Sequence, residues 1–288
     1  MDSNLARRIA FAAVAIPLAV LVVWVGGWPL ALLVATIAVL GTGEIFDLAR
    51  HHGIEALRPP GFAVAALIPL VWYLAQVNPD AARFVAAWSA YLVPALVIIL
   101  LALALALRPA TERPLGAIAV TLFAVGYAGL LPAFLVPIRH GAWPGRSWGG
   151  TVLVFFPLVV VWVCDTAAMF GGRLVGGAKL APSISPGKTR SGGIAGLIGG
   201  TLVAPLFALL VFPWVGIELS VVTACAMALG FSVIGQVGDL AESLLKREAG
   251  VKDSSSLIPG HGGVLDRLDS LYFVIPVAAA WYQLAGLL

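Results

Sequence analysis

An all-α, polytopic membrane fold follows from three observations on this 288-residue chain. Hydrophobic residues make up 61% of it and charged residues only 11%. Its mean hydropathy is +1.02. The few charges cluster in short polar stretches between long apolar runs. A soluble domain carries roughly 25% charged residues. No soluble core of this length could bury so much apolar surface, so lipid is the expected solvent for most of the chain.

Crossing a hydrocarbon layer of about 30 Å takes roughly 20 helical residues. Nine candidate spans meet that need, at 9–26, 29–48, 61–77, 86–107, 115–137, 151–172, 192–213, 217–238 and 271–287. The first follows Arg7 and Arg8 and resembles a signal peptide at first sight. A second apolar run follows almost at once, so the first reads as a retained helix. The fourth, ending in alternating Leu and Ala, is the plainest, and the ninth is short. Pro17, Pro94, Pro132, Pro157 and Pro205 fall inside spans, where neighbouring helices can re-satisfy the freed backbone groups. The expected organisation is five spans in residues 1–150 and four in a catalytic region, residues 151–288, with polar loops at 173–191 and 239–270. No internal repeat is evident.

Charge sets the expected orientation. Nine spans put Arg7, Arg8, Arg50, Arg58, Arg108, Arg113, Arg173, Lys179, Lys188, Arg190, Lys246, Arg247, Lys252 and Arg267 on one side. Of the 17 basic residues, only Arg83, Arg139 and Arg146 fall on the other. Basic residues mark the cytoplasmic side. The N-terminus and both polar loops are therefore expected to be cytoplasmic and the C-terminus on the far side, periplasmic if the membrane is, as expected, a bacterial inner membrane.

Cys164 and Cys225 lie inside apolar runs and read as small buried residues, with no zinc or disulfide spacing. The nine Trp residues read mainly as interfacial belts and core filling. Nothing suggests a nucleic-acid partner.

The chemistry lies in the polar stretches. Residues 239–269 hold Lys246, Arg247, Lys252 and Arg267 beside Asp239, Asp253, Asp266 and Asp269. Arg grips phosphate oxygens with a bidentate fork. Carboxylates suit Mg²⁺, which usually shares its ligands with substrate phosphates. Basic groups and carboxylates on one stretch are therefore what metal-assisted nucleotide chemistry requires. Gly260, Gly262 and Gly263 permit a tight turn and close backbone approach. Asp239, Ser243 and Lys246 fall at i, i+4 and i+7, on one helical face. Asp266 and Asp269 open the ninth helix, where the helix dipole favours a carboxylate; capping alone would account for one of them.

Asp165 lies well inside the sixth span. An ionisable residue there is a functional-site candidate by default, either lining a cavity or pairing with a buried cation. Glu44 and Asp47 lie near the end of the second span, where an interfacial position would satisfy them without any role. Gly187-Lys188-Thr189 mimics the end of a phosphate-binding P-loop, but the required upstream glycine is replaced by Pro182 and no βαβ context is expected around it. Lys188 and Arg190 either reach substrate phosphates or only mark the membrane boundary.

The stretch Ser243-Leu-Leu-Lys-Arg-Glu-Ala-Gly-Val-Lys-Asp-Ser-Ser-Ser-Leu-Ile-Pro-Gly-His-Gly-Gly-Val-Leu-Asp-Arg-Leu-Asp269 resembles the C-terminal motif of the phosphatidate cytidylyltransferases, also called CDP-diacylglycerol synthases. Asp165-Thr-Ala-Ala-Met-Phe-Gly-Gly-Arg173 and Ser185-Pro-Gly-Lys-Thr-Arg-Ser-Gly-Gly193 resemble the same family. The resemblance is motif-specific from Asp165 to Asp269 and covers the rest in organisation. It implies that the phosphate of phosphatidic acid attacks the α-phosphorus of CTP and expels pyrophosphate, leaving CDP-diacylglycerol. It implies a divalent cation, Mg²⁺, at Asp239 and Asp266, with a monovalent cation such as K⁺ nearby. Lys246, Arg247, Lys252 and Arg267 would hold the triphosphate or the lipid phosphate, with Asp253 and Asp269 in the same catalytic group. Asp165, Ser185, Lys188, Thr189, Ser243, Gly262 and Gly263 would line the substrate site. His261 belongs to the motif and would donate to a phosphate; the other reading is a loop histidine bonded to a backbone carbonyl. The resemblance also suggests a homodimer.

Two other readings compete. Intramembrane Asp165 and Glu44 would suit an ion-coupled transporter, but such proteins place key groups near the midplane of repeated halves. A related enzyme could use an isoprenoid-based phosphatidate or a polyprenol acceptor for CTP.

Overall fold

The computed structural model describes residues 16–257 and 262–288. Among these it holds nine helices. They are α1 (Ile16–Val25), α5 (Pro114–His140) and α7 (Arg190–Trp214), with α2 (Gly27–Arg50), α3 (Arg58–Val77), α4 (Pro79–Leu107), α6 (Trp148–Val175), α8 (Val221–Glu248) and α9 (Val264–Leu284). The 7 helices from α2 to α8 are long and apolar enough to cross a membrane. The expected nine spans require α1 and α9 too. α1 is described only from Ile16. α9 has 21 residues but opens with Asp266, Arg267 and Asp269.

Local chemistry starts these helices where hydropathy does not. Asn78 caps α4, its side chain accepting from the amides of Asp80 and Ala81 at 2.8 and 3.1 Å. Pro79 follows at the first helical position, where no N–H is needed. α4 therefore begins seven residues before the apolar run expected at 86. Ser220 caps α8 by accepting from Thr223 N at 3.0 Å. α5 and α7 each widen into a π-helical turn, at Val125–Leu130 and Phe207–Val211. Pro132 and Pro213 follow these turns. A proline cannot donate to the carbonyl one turn back and its ring crowds it, and a wider turn relieves the clash.

The main core lies among α6, α7, α8 and α9, with Phe156, Phe207, Phe212, Phe231 and Tyr282 buried together. A smaller cluster joins α2 and α5 to α9 through Ile45, Phe46, Tyr127, Leu265 and Tyr272. α9 thus belongs to both halves of the bundle. α4 buries only Leu100 and Ala104 and presents the rest of its apolar surface outward.

The α6–α7 pair is close because Gly192, Gly196 and Gly200 recur every fourth residue of α7. A Cβ at Gly192 would stand 2.7 Å from the Ala168 carbonyl, and one at Gly196 would stand 3.0 Å from that of Cys164. Small residues at this spacing let membrane helices approach. The contact holds the strands between α6 and α7 beside α8.

The loops gather at two ends. At one, Arg113 donates to the His52 carbonyl at 2.6 Å and Arg108 to that of Ala56 at 3.3 Å. At the other, fully buried Arg139 donates to the carbonyls of Val23, Trp24 and Pro144 at 2.6, 2.7 and 3.1 Å. It ties α5 to the end of α1 and to the loop before α6. Arg139→Ala is expected to cost roughly 2–4 kcal/mol, because three carbonyls lose a charged donor away from water. A thermal scan of the detergent-solubilised protein checks this; an unchanged midpoint would contradict it.

Two sequence expectations need correction. The polar stretch 239–270 is not one loop: α8 continues through Glu248 and α9 starts at Val264. Hydropathy marks where lipid ends, and the hydrogen-bond ladder of a helix does not stop there. Likewise α6 runs to Val175, residues 179–189 fold into a hairpin and α7 takes over at Arg190, so the described fold is not purely helical. Strands β1 (Lys179–Ala181) and β2 (Ser185–Thr189) pair antiparallel.

Candidate active site

Four elements meet at the end of the bundle that carries β1 and β2. α8 contributes Asp239, Glu242, Ser243 and Lys246, spaced at three and four residues along one face. α9 contributes Asp266 and Asp269 from the polar turns ahead of its apolar run, which starts at Leu271. α8 and α9 pack tightly there: a Cβ on Gly238 would stand 2.9 Å from the Asp269 carbonyl oxygen. β2 contributes Lys188 and α2 contributes Glu44.

Lys246 is the hub. Its Nζ lies 2.6 Å from Asp266 Oδ1 and 3.2 Å from Glu242 Oε2. The side chains of Lys246, Glu242 and Asp266 are 10%, 1% and 4% exposed. One buried ammonium thus answers two buried carboxylates. Charges away from water interact far more strongly than exposed ones. Neither Glu242 oxygen takes a hydrogen bond among the described residues, so the ion pair is its compensation.

Asp266 is bonded on both oxygens. Oδ2 accepts from Ser254 N, Ser254 Oγ and Gly263 N, each at 2.8 Å. Burial alone would raise its carboxyl, but hydrogen bonds from Lys246, Gly263 and Ser254 outweigh burial and hold it below the ordinary carboxylate range. The bond from Gly263 N is also a helix cap, so capping and ion pairing coexist at one side chain. Gly262 has φ +79°, and a Cβ there would stand 2.7 Å from Asp266 Oδ2.

Asp239 is more open. Lys188 Nζ lies 2.5 Å from its Oδ2, with the two side chains 30% and 25% exposed. Ser243 Oγ donates to its Oδ1 at 3.4 Å. Asp269 accepts from Ser270 N at 2.7 Å, and burial and then the Asp239 charge push its carboxyl up to about 6. Asp165 lies on the exposed side of α6. Negative charge exceeds positive in this corner.

The other candidates have different surroundings. Arg247 donates to the carbonyls of Ile184 at 3.2 Å and Val251 at 2.8 Å, bracing the β1–β2 turn against the end of α8. Thr189 Oγ1 caps α7, accepting from Gly192 N at 3.1 Å. Ser185 opens β2 and is half-buried. Lys252, Asp253 and Arg267 are exposed and in no ion pair among the described residues. His261 and Gly260 lie outside the described residues. Arg7 and Arg8 do too. A cavity of about 580 Å³ lies at the opposite end, lined by Tyr73, His140, Trp143 and Arg146; it shares no residue with this cluster.

Three members were not singled out as site residues from sequence. Glu242 is four residues before Lys246 and Ser254 lies in a run of three serines, local patterns with many innocent explanations. Glu44 had an acidic residue's signal inside a span, but an interfacial position explained it equally well. Only the fold separates it from Asp47, which is half-exposed and 2.9 Å from Arg58 Nη1.

The chemistry on offer is anion binding by Lys188 and the exposed basic groups, beside carboxylates able to take a hard cation; Lys246, expected to hold a phosphate, is instead occupied by Glu242 and Asp266. Among the described residues no three His, Cys, Asp or Glu side chains gather into a metal cage. Asp239 and Asp269, close together with their charge incompletely opposed, fit a Mg²⁺ held by one or two carboxylates and completed by substrate phosphates. Asp266 fits only if Lys246 yields Oδ1.

Comparison with known proteins covers nearly the whole chain. The family model described as "Cytidylyltransferase family" matches residues 6–285. Phosphatidate cytidylyltransferase 5, chloroplastic, from Arabidopsis thaliana is 33% identical over 296 residues, 92% of this chain and 68% of that protein. The phosphatidate cytidylyltransferase of Synechocystis sp. is 30% identical over 294 residues, 94% of each chain. That of Brucella suis is 45% identical over 166 residues, 56% of this chain and 54% of that protein.

Proposed function

The chain belongs to the cytidylyltransferase family, and on that premise we propose that it is a phosphatidate cytidylyltransferase. It transfers CMP from CTP to phosphatidic acid, giving CDP-diacylglycerol and pyrophosphate. The observation that carries this reading is the buried Glu242–Lys246–Asp266 cluster next to the open Lys188–Asp239 pair, on a helical bundle with 7 apolar helices of membrane-crossing length. A water-soluble nucleotide and a lipid phosphate need such a polar site at the end of an apolar bundle.

A phosphate oxygen of phosphatidic acid forms a bond to the α-phosphorus of CTP. The bond from that phosphorus to the bridging oxygen breaks, and pyrophosphate leaves. The attacking phosphate is already anionic, so no general base is needed. The demand is positioning and charge neutralisation, as in phosphoryl transfer. Lys188, at the open edge, is placed to receive a phosphate in exchange for Asp239. Lys252 and Arg267, exposed and without protein ion pairs among the described residues, are free to grip the triphosphate. Arg247 contributes by holding the hairpin that carries Lys188. Mg²⁺, when bound, would be held by Asp239 with Asp266 or Asp269 and would neutralise phosphate charge; a monovalent cation such as K⁺ beside it follows from the family resemblance. Asp165 and the Lys179–Arg190 segment form the second wall, toward the lipid.

We further propose the finer placement that charge implies: an inner-membrane protein with nine spans, a cytoplasmic N-terminus and this site on the cytoplasmic side, where CTP is made. A homodimer is proposed on the family resemblance alone.

Purified protein in detergent, given CTP, Mg²⁺ and phosphatidic acid, is expected to release CDP-diacylglycerol and pyrophosphate in equal amounts. Chelation of the metal is expected to stop turnover and added Mg²⁺ to restore it. A polyprenyl phosphate turned over faster than phosphatidic acid would move the assignment to another lipid, and turnover that survives chelation would remove the metal.

A further inference from the structure

Glu44 lies on α2, yet its carboxylate is bonded entirely to the other end of the chain. Oε1 accepts from Ser255 Oγ at 2.7 Å and Val264 N at 2.8 Å. Oε2 accepts from Ser254 Oγ and Leu265 N, both at 2.8 Å. The residue is only 5% exposed. Val264 and Leu265 open α9, where backbone amides have no partner within the helix. Glu44 therefore caps α9 from a different helix, and its negative charge meets the positive end of the α9 dipole.

The cap reaches the proposed chemistry in one step. The Ser254 hydroxyl that donates to Glu44 also lies 2.8 Å from Asp266 Oδ2. Its single proton serves two carboxylates, so a shift of Glu44 is felt at Asp266 and then at Lys246. Gly263 lets the pieces close: a Cβ there would stand 2.1 Å from Ser254 Oγ and 2.4 and 2.5 Å from the two Glu44 oxygens.

We propose that Glu44 is a positioning residue for this reaction, fixing the first turn of α9 and the 254–255 segment so that Asp266 and Asp269 face substrate in one orientation. Its effect on turnover rests on the cytidylyl-transfer reading; its anchoring of α9 does not.

Glu44→Gln keeps the size but turns an amide NH₂ toward donors. It is expected to lower kcat about 100-fold, the scale of a misplacement near 1 Å, while KM for CTP changes little. Hydrogen exchange at residues 262–266 is expected to accelerate with α6 unchanged. Glu44→Asp, which restores the charge, is expected to recover part of kcat. Wild-type kcat with full protection of Val264 and Leu265 in Glu44→Gln would overturn the proposal. So would exchange that rises throughout the protein with Glu44→Asp no better than Glu44→Gln, since that marks a purely structural role. If Glu44→Gln does not fold, Ser255→Ala decides: a severalfold loss of kcat with a normal folded fraction supports the proposal, and an unchanged kcat overturns it. If the wild type transfers no cytidylyl group, the functional reading fails, and the exchange measurement alone still decides whether Glu44 anchors α9.

Discussion

Lys246→Met is expected to remove both stability and turnover. Lys246 is the one ammonium between Glu242 and Asp266, whose side chains are 1% and 4% exposed. Methionine matches the length of the lysine stem but leaves two carboxylates facing each other without water or counter-charge. Breaking a buried ion pair by removing one partner costs roughly 3–5 kcal/mol. Asp266 also loses its Oδ1 partner, so the first turn of α9 loosens and the aspartates lose their fixed orientation. Thermal unfolding in detergent and a product assay on the same preparation check both effects. A wild-type melting midpoint would show that the cluster is not what holds α8 to α9.

Asp239→Asn is expected to separate the two effects. Its partner Lys188 and Asp239 itself are 30% and 25% exposed, and an ion pair so open to solvent contributes only about 0–1 kcal/mol. The variant is therefore expected to melt close to the wild type. Its turnover is expected to fall about 100- to 1000-fold, the range found when one preorganised electrostatic group is removed from a reacting site. The loss arises because the carboxylate oxygen offered to Mg²⁺ becomes a neutral amide. A variant with wild-type rates would take Asp239 out of the site; one that unfolds would make it a structural residue like Lys246.

These two lysine–aspartate pairs also show what sequence makes legible. The residue types were readable because Lys, Arg and Asp crowd into one polar stretch of an otherwise apolar chain. The shared face of Asp239, Ser243 and Lys246 was readable because helical spacing is local. The partners were not. Lys188 meets Asp239 across a hairpin that carries no alternating apolar pattern, in a segment rich in Pro, Gly and Ser. Glu44 meets Ser254 across 210 positions of the chain, and no local rule reaches that far. Arg247 looked like a phosphate ligand by type, yet two backbone carbonyls occupy its guanidinium.

The fold divides the same way. Hydropathy located each of the 7 helices long and apolar enough to cross a membrane, α2 to α8, because long apolar runs of this length pack as helices. It misjudged where helices end, since capping by Asn78 and Ser220 and the continuation of α8 through Glu248 depend on hydrogen bonds rather than apolarity. The spacing of Gly192, Gly196 and Gly200 is a local pattern, but the helix it admits is set only by the fold.

A cytidylyltransferase moves a nucleotidyl group, and not a phosphoryl group, onto its lipid acceptor. Purified protein supplied with phosphatidic acid, Mg²⁺ and CTP labelled either at the α- or the γ-phosphate tests it most directly. The α-label is expected to enter the lipid at the rate pyrophosphate appears, while the γ-label stays entirely in pyrophosphate. Lipid carrying the γ-label, or no labelled lipid from either CTP, would contradict it.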